Sequence, residues 1–226
     1  EDPDFVDVED DLAKAPERKQ QNNLHSIPLD MKTQILSDLA KATAPHKFEI
    51  YGTFICNYVQ GRLINSNGLD KESSNSPIYL EVKAVHQESQ ITVLETFGGE
   101  DFAYFNQDEF TSRLLEKVKN CTNPVVDIEP GHYDVILAPR CLAEFTNYLA
   151  YGMGAHAYDQ HSSYFEDKLD KQVFPEYINI TDDPTDPELI HRDYGSGGKL
   201  YRPLKLVENG VFRAFMCNKY YHHKTG

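Results

Sequence analysis

Apolar residues recur at helical spacing in three stretches of the chain. Pro28 to Ala42, "PLDMKTQILSDLAKA", places Leu29, Ile35, Leu36 and Leu39 at roughly helical spacing, and Pro45 follows its end. This pattern predicts a helix. Phe110 to Val118 has the same spacing and predicts a second amphipathic helix. Leu142 to Tyr151 predicts a third helix, directly after a short apolar run, Tyr133 to Pro139, that we interpret as a buried strand.

Alternating apolar and polar positions predict strands between the first two helices. From Phe48, "FEIYGTFICNYVQGRLINSNG" alternates and is rich in β-branched and aromatic residues. We expect a hairpin there, with turns near Gln60-Gly61 and Asn67-Gly68. The stretches 78–86 and 90–97 continue the alternation. Together these runs predict four antiparallel strands in a meander.

The last third of the chain adds two further strand signals. "EYINITDDPTDP" indicates a strand that ends in an Asp-Asp-Pro turn, and "LYRPLKLVENGVFRAFMCN" alternates on both sides of Asn209-Gly210. An Asn-Gly pair readily takes the positive φ angles of a tight hairpin turn. The elements predict an α+β fold, with antiparallel sheets and flanking helices followed by a β-rich C-terminal portion.

The stretch "IEPGHY" suggests a boundary between two domains near Glu129 to Gly131. Residues 1–130 are then part of an N-terminal α+β domain, in which residues 1–26 form an irregular acidic lead-in. Residues 131–226 are part of the β-rich C-terminal domain, which we expect to be truncated in this sequence.

Composition and charge narrow the function classes. The 226 residues include 22 Lys and Arg against 36 Asp and Glu, a formal net charge of −14. Direct nucleic-acid binding is disfavoured, because phosphate contacts need clustered cations. No apolar run approaches the length of a membrane span, so no membrane partner is expected. The four cysteines are far apart, which fits a reducing, cytoplasmic location better than a disulfide framework.

Several side chains could carry chemistry, and each has a simpler structural role that we favour. Cys141 is interpreted as a buried packing thiol, and Asp182-Asp183 as a turn before Pro184. The histidines do not have zinc-protease spacing, and surface or packing roles are expected for the pair His156 and His161 and for the set Cys217, His222 and His223.

Three blocks of sequence, taken in order, carry a family resemblance. They are "YDVILAPRCLAEFTNYLAYG", "SSYFEDKLDKQVFPEYINITDDPTDP" and "DYGSGGKLYRPLKLVENGVFRAFMCNKYYHHKTG". Their order and spacing resemble the TldD/PmbA family, also called modulators of DNA gyrase. Upstream, "RLINSNGLDKESSNSPIYLEVKAV" is similar to two strands of that family's N-terminal domain. Members of the family extend beyond both ends of the matched stretch, so we expect a longer native protein or tight dimer contacts that protect strand edges.

The resemblance implies where a zinc site would stand. Catalytic members carry His-Glu-x-x-x-His on the helix after the strand that resembles "VILAP". Aligned on Ser163-Tyr164-Phe165, this chain has Thr146, Asn147 and Tyr151 in place of the His, Glu and His. None of these side chains supplies an imidazole or a carboxylate. The resemblance therefore implies a PmbA/TldE-like member with no catalytic residue, no metal ligand and no cofactor in this chain, and with zinc in a partner subunit.

The resemblance also implies partners. The first hypothesis is a non-metal-binding subunit that joins a TldD-like zinc protease subunit and acts on unfolded or small peptides. The alternative is a stand-alone homodimeric binding or scaffold protein without peptidase activity. A third, weaker alternative is an enzyme with a relocated metal site at His156, His161 or His191.

Overall fold

A computed structural model describes residues 2–16, 22–195 and 197–225 of the protein. The helices are α1 (Asn23–Ser26), α2 (Leu29–Thr43), α3 (Gln107–Asn120), α4 (Pro139–Gly152), α5 (Ala155–Asp159) and α6 (Lys219–Thr225). The strands are β1 (Phe48–Cys56), β2 (Val59–Ile64), β3 (Asp70–Asn75), β4 (Ile78–His86), β5 (Thr92–Gly99), β6 (Ile180–Asp182), β7 (Leu204–Glu208) and β8 (Val211–Phe212).

The first half of the chain is a three-stranded antiparallel sheet covered by two helices. Its strand order is β1-β4-β5. Alternate residues of β4 point to one face and are fully buried, as period-2 alternation predicts. Helices α2 and α3 cover that face and bury their own apolar stripes against it. The resulting core contains Ile35, Leu39, Phe48, Leu80, Val82, Ala84, Val93, Phe110, Leu114 and Val118.

The predicted meander is wrong, because a hairpin is inserted between two paired strands. β1 pairs along its whole length with β4, from Phe48 opposite His86 to Cys56 opposite Ile78. Within the described part of the chain, strands β2 and β3 pair only with each other. β3 reads "DKESSN" and lacks an apolar face that could join the core sheet. The turn expected at Gln60-Gly61 is also wrong, since both residues lie within β2. The Asn67-Gly68 turn is confirmed, with Gly68 at φ 83°.

The three predicted helices are confirmed, but α3 and α4 each begin three residues before the expected starts at Phe110 and Leu142. At the start of α3, the Asn106 side chain accepts a hydrogen bond from the Glu109 amide at 3.1 Å, as an N-cap residue does. Helix α4 begins at Pro139, a residue favoured at the first helical position because its missing N–H would have no helical partner.

The C-terminal portion contains a small three-stranded sheet, in the order β6-β7-β8. The predicted hairpin is confirmed: Asn209 and Gly210 have φ angles of 48° and 76°, and Glu208 pairs with Val211 across the turn. Behind the sheet lies a second core of Met153, Phe165, Leu206, Val207 and Phe212. With its two antiparallel sheets, the inserted hairpin and the flanking helices, the molecule has the α+β fold expected from the sequence.

The strand expected at residues 133–139 does not form, and this prediction is wrong. The segment enters α4 in an irregular conformation, and Val135 and Ile136 expose 76% and 101% of their surface. An apolar run becomes a strand only where another strand pairs with it. Among the described residues, none pairs with this segment.

The start of the chain is irregular except for one helical turn. Residues 2–16 contain no helix or strand, as expected, whereas α1 was not anticipated. Part of the expected lead-in, residues 17–21, lies outside the described residues. The domain boundary near residue 130 stays a prediction. None of the helices in the described ranges has the length and hydrophobicity that crossing a bilayer requires.

Candidate functional site

Helix α4 holds the positions at which the resemblance predicts a zinc motif. Thr146 is half-buried, and its hydroxyl donates to the Ala143 carbonyl at 2.9 Å. Asn147 is exposed, and Tyr151 exposes 67% of its surface. These positions offer a hydroxyl, an amide and a phenol, which are poor ligands for Zn²⁺ compared with imidazole, thiolate or carboxylate.

The three histidines of the relocated-site alternative lie in separate contacts. His156 Nδ1 is 2.6 Å from the Tyr221 hydroxyl, and His161 Nδ1 is 2.6 Å from Glu166 Oε1. His191 Nδ1 contacts the Glu100 carboxylate. In the part of the chain that the structure describes, no group of three His, Cys, Asp or Glu side chains is arranged to hold a metal ion. This alternative therefore has no assembled ligand set there.

A cleft of about 320 Å³ lies between α5, α6 and the segment that precedes α6. It brings together two residues from the Cys217, His222 and His223 set, because Cys217 and His222 both line it. Desolvation by the surrounding protein raises the pKa of the Cys217 thiol. The thiol form is therefore favoured over the nucleophilic thiolate at neutral pH. The full lining consists of Ala155, Tyr158, Glu166, Leu169, Arg213, Ala214, Phe215, Cys217, His222 and Thr225.

The two remaining candidates from the sequence have opposite outcomes. The turn at Asp182-Asp183 is confirmed: Asp183 Oδ1 accepts hydrogen bonds from the hydroxyl and the amide of Thr185, at 2.6 and 2.9 Å. These two bonds, the hydroxyl first, hold the pKa of Asp183 below its usual range. The expectation that Cys141 is buried is wrong, since it lies exposed in the first turn of α4. Every residue of α4 is at least partly exposed, so its apolar face lacks the cover that the sequence pattern led us to expect.

One functional side chain was missed by the sequence analysis. Lys71 in β3 is only 4% exposed, and its ammonium donates to the carbonyls of Asp11 at 2.5 Å and Gly198 at 2.8 Å. It lies over the Tyr194 ring, 4.7 Å from the ring centroid. From the sequence, a lysine between Asp70 and Glu72 is expected to be exposed to solvent. No local pattern could have shown that it fastens two distant segments.

The attachment of α6 to α5 should weaken in acid. Lys224 Nζ donates to Asp159 Oδ2 at 2.9 Å, and this bond, with a smaller effect from His156 in the same direction, holds the pKa of Asp159 below its usual range. A carboxyl with a lowered folded-state pKa stabilises the fold above its unfolded-state pKa, and that contribution is lost as pH falls through the folded value. The intrinsic rate of amide hydrogen exchange itself falls with pH, so the quantity to follow is the protection factor of the α6 amides, which should decrease from neutral pH into acid.

Asp159→Asn is the control for this acid effect. The variant should show lower protection factors in α6 already at neutral pH and a smaller decrease on acidification. An acid step of the same size in the variant would show that another group is responsible.

Part of the sequence matches a known family model, and nearly all of it is similar to a curated protein. Residues 130–226 match the model of the PmbA/TldA metallopeptidase C-terminal domain. A curated relative, the zinc metalloprotease TldD homolog of Saccharolobus solfataricus, is 24% identical over 230 residues, which are 99% of this chain and 49% of the relative.

Solved structures share the fold along almost the whole chain. The crystal structure of TldE from Thermococcus kodakarensis has a TM-score of 0.83 at 18% identity, covering 98% of this chain and 52% of that one. A Thermotoga maritima protein described as a proposed modulator of a DNA gyrase has a TM-score of 0.85 at 17% identity, covering 99% of this chain and 53% of that one.

The C-terminal part of the chain, residues 130–226, is therefore related to a metallopeptidase domain. More narrowly, residues 130–226 match the C-terminal domain of the TldD/PmbA family, as the three sequence blocks indicated, and the chain as a whole is similar to a TldD homolog in sequence and to TldE in fold. It spans about half the length of the curated relative and of the solved structures that it matches.

Proposed function

We propose that this chain is the non-metal-binding, PmbA/TldE-like subunit of a TldD/TldE-type metalloprotease that acts on unfolded or small peptides. The observation that carries the proposal is the set Thr146, Asn147 and Tyr151 on α4, at the place of the family's His-Glu-x-x-x-His. The fold likeness to a protein named TldE agrees with this assignment but is a likeness of fold alone.

The chemistry of these three positions supports the proposal that the zinc is held by another chain. A catalytic zinc needs imidazole or carboxylate ligands and a nearby base that takes a proton from the bound water. A threonine hydroxyl already bonded to its own helix cannot replace a histidine, and the Asn147 amide cannot accept a proton as a glutamate does. In this proposal the chain holds no cofactor, and the TldD-like partner contributes the metal and the catalytic groups.

The role that remains for this chain is to help enclose an extended peptide. β1 and β5 are the edge strands of the first sheet, and an edge strand can pair with an added peptide strand. The proposal includes the two-domain division at residues 1–130 and 131–226 and a cytoplasmic location.

Zinc stoichiometry of the complete native protein, purified without a histidine tag, is the first test. Inductively coupled plasma mass spectrometry should give a value near zero per chain. A value near one would contradict the proposal and would direct attention to the histidines outside α4.

Activity with a partner is the second test. A homologue that carries His-Glu-x-x-x-His should co-purify with this protein, and cleavage of an unfolded peptide should require both chains. The matched control is the same homologue with its first motif histidine replaced by alanine, which should bind this protein but cleave nothing. A stable homodimer that neither binds nor stimulates such a homologue would support the stand-alone scaffold instead.

A further inference from the structure

Residues 8–15, which we name the strap, run in an extended conformation across the surface. From Glu9 onward their exposure alternates: the odd-numbered positions Glu9, Asp11, Ala13 and Ala15 are half-buried, and the even-numbered positions are exposed. Alternation with a period of two is the geometry of an extended chain that turns one side toward a surface. The strap therefore lies in the molecule as a bound peptide would lie.

The surface holds the strap chiefly by its backbone. Side-chain donors from the β2–β3 turn, from β3 and from α6 reach three carbonyl oxygens of the strap. Hydrogen bonds from side chains to a backbone do not depend on which residues the bound chain carries, as in other modes of extended-peptide recognition. The donors are Asn67 Nδ2 to Val8 O at 3.1 Å, Lys219 Nζ to Val8 O at 3.2 Å, Asn65 Nδ2 to Glu9 O at 2.6 Å and Lys71 Nζ to Asp11 O at 2.5 Å.

The inward positions of the strap set a chemical preference. Asp11 Oδ2 accepts from the Leu200 amide at 3.4 Å, and the charges of Lys71 and Arg202 act on the same carboxylate. A hydrogen bond from the Ala13 amide is the largest cause that lowers the pKa of Asp11, followed by the Leu200 amide and these two cations, so the carboxylate stays ionised at neutral pH.

Farther along the strap, the inward side chains are the methyl groups of Ala13 and Ala15. The Ala15 amide donates to the Tyr194 hydroxyl at 2.6 Å. This hydrogen bond brings the strap backbone at Ala15 into direct contact with Tyr194. Small side chains at these two positions allow that close approach.

The surface under the strap is formed by the loop around Gly198 and the β2–β3 hairpin, which pack against each other. Gly198 adopts φ 92°, and its carbonyl receives the second hydrogen bond of Lys71. A Cβ at this glycine would lie 2.7 Å from Leu63 and 2.9 Å from Leu69, so the loop packs directly on the β2–β3 hairpin. Buried Lys71 thereby joins the loop, the hairpin and the strap at one point.

Little apolar burial holds the strap in place. Val8 and Leu12 expose 46% and 61% of their surface. Hydrogen bonds that compete with water contribute only about 1 kcal/mol each to net stability. Segments with few buried apolar contacts open locally more readily than the core. The strap is therefore positioned where a competing chain can replace it.

We propose that the groove between the β2–β3 hairpin, residues 194–195 and 197–200, and Lys219 is a binding groove for an extended peptide, and that the strap is its resident, displaceable occupant. The peptide that fits has a carboxylate at one inward position and small side chains two and four residues later. This inference concerns binding by the chain alone and stands apart from the proposed pairing with a zinc subunit, so either can fail without the other.

The test uses the full chain and a fluorescent peptide that copies residues 5–16, "FVDVEDDLAKAP". Asp11→Arg together with Ala15→Pro weakens the strap without changing the groove, because the pair removes the carboxylate and one backbone donor. By fluorescence anisotropy, this variant should bind the peptide at least tenfold more tightly than the unmodified chain.

Two matched variants control this measurement. Adding Lys71→Met to the strap-weakened chain removes the buried donor of the groove but keeps most of the side chain's aliphatic volume, and it should cancel the gain. Leu12→Ala alters an exposed strap position and should behave as the unmodified chain. A peptide of the same composition in scrambled order should bind at least tenfold more weakly.

Two results would overturn the inference. One is a folded, strap-weakened chain that binds the peptide no better than the unmodified protein, and the other is equal binding of the scrambled peptide. If the strap-weakened chain does not fold, hydrogen exchange on the unmodified chain replaces it. Millimolar unlabelled peptide should then accelerate exchange at the Ala15 amide, and unchanged exchange would show that the strap is a fixed part of the fold.

Discussion

Gly210→Ala should destabilise the C-terminal sheet by about 3 kcal/mol or more, because the new methyl group would overlap backbone atoms. A Cβ at Gly210 would lie 2.2 Å from both Phe174 O and Gln172 Nε2, and 2.6 Å from Pro175 O. The glutamine side chain can move away, but the two carbonyls belong to a segment packed against the hairpin. The Gly210 carbonyl itself accepts hydrogen bonds from the amides of Val173 and Phe174, so a shift of the turn would break these contacts as well.

Gly68→Ala is the matched control, because it separates backbone strain from steric overlap. Gly68 has a similar φ, 83°, in the other Asn-Gly turn, and within the described residues nothing lies within 4 Å of a Cβ placed there. The cost at Gly68 should be only that of a left-handed residue with a side chain, about 1–2 kcal/mol. Denaturant unfolding of both variants measures the difference, and equal losses would show that the close contacts around Gly210 do not limit the turn.

Local chemistry explains why these two turns could be predicted from the sequence. Gly68 in one turn, and both Asn209 and Gly210 in the other, take positive φ angles that these residue types adopt readily. The same holds for α2, α3 and α4, whose apolar spacing and end signals are contained in each segment. Elements that are determined by neighbours in sequence could be predicted.

Strand pairing was not readable, because it depends on distant partners. The apolar alternation of β1 fits pairing with β2 as well as with β4, and the observed pairing follows from the polar sequence of β3. Residues 133–139 have the composition of a buried strand and yet lie exposed, since among the described residues no strand lies beside them. The sequence shows which residues can form a strand, and tertiary context decides whether they do so.

The groove under the strap could not be predicted either, because it also depends on contacts between distant residues. Lys71 bonds to residues 60 and 127 positions away in the chain, so its role follows only from the folded arrangement. By contrast, the proposal that Thr146, Asn147 and Tyr151 stand in place of a zinc motif depends only on residue identity along one helix. Residue types on a single element were therefore accessible from the sequence, and contacts between elements were not.

Phe110→Ala should have the second large effect, lowering the free energy of unfolding by about 3–5 kcal/mol. Phe110 is 1% exposed and lies in the core between α2, α3 and the first sheet. Its ring packs against Phe105, with centroids 5.6 Å apart. Truncation removes the buried apolar area of the ring and leaves a cavity that the two helices can fill only in part. Equilibrium denaturation, with near-ultraviolet circular dichroism as the probe of packing, measures the loss.

Phe145→Ala is the matched variant on α4. Comparing the two variants tests whether the apolar face of α4 is exposed or covered in solution. Phe145 lies on α4 with 54% of its surface exposed, beside the exposed side chains of Leu142 and Tyr148. A substitution at a surface of this kind should change the free energy of unfolding by no more than about 0.5 kcal/mol. A loss as large as that of Phe110→Ala would mean that the apolar face of α4 is covered in solution. The amphipathic pattern that predicted a core face on this helix would then be correct.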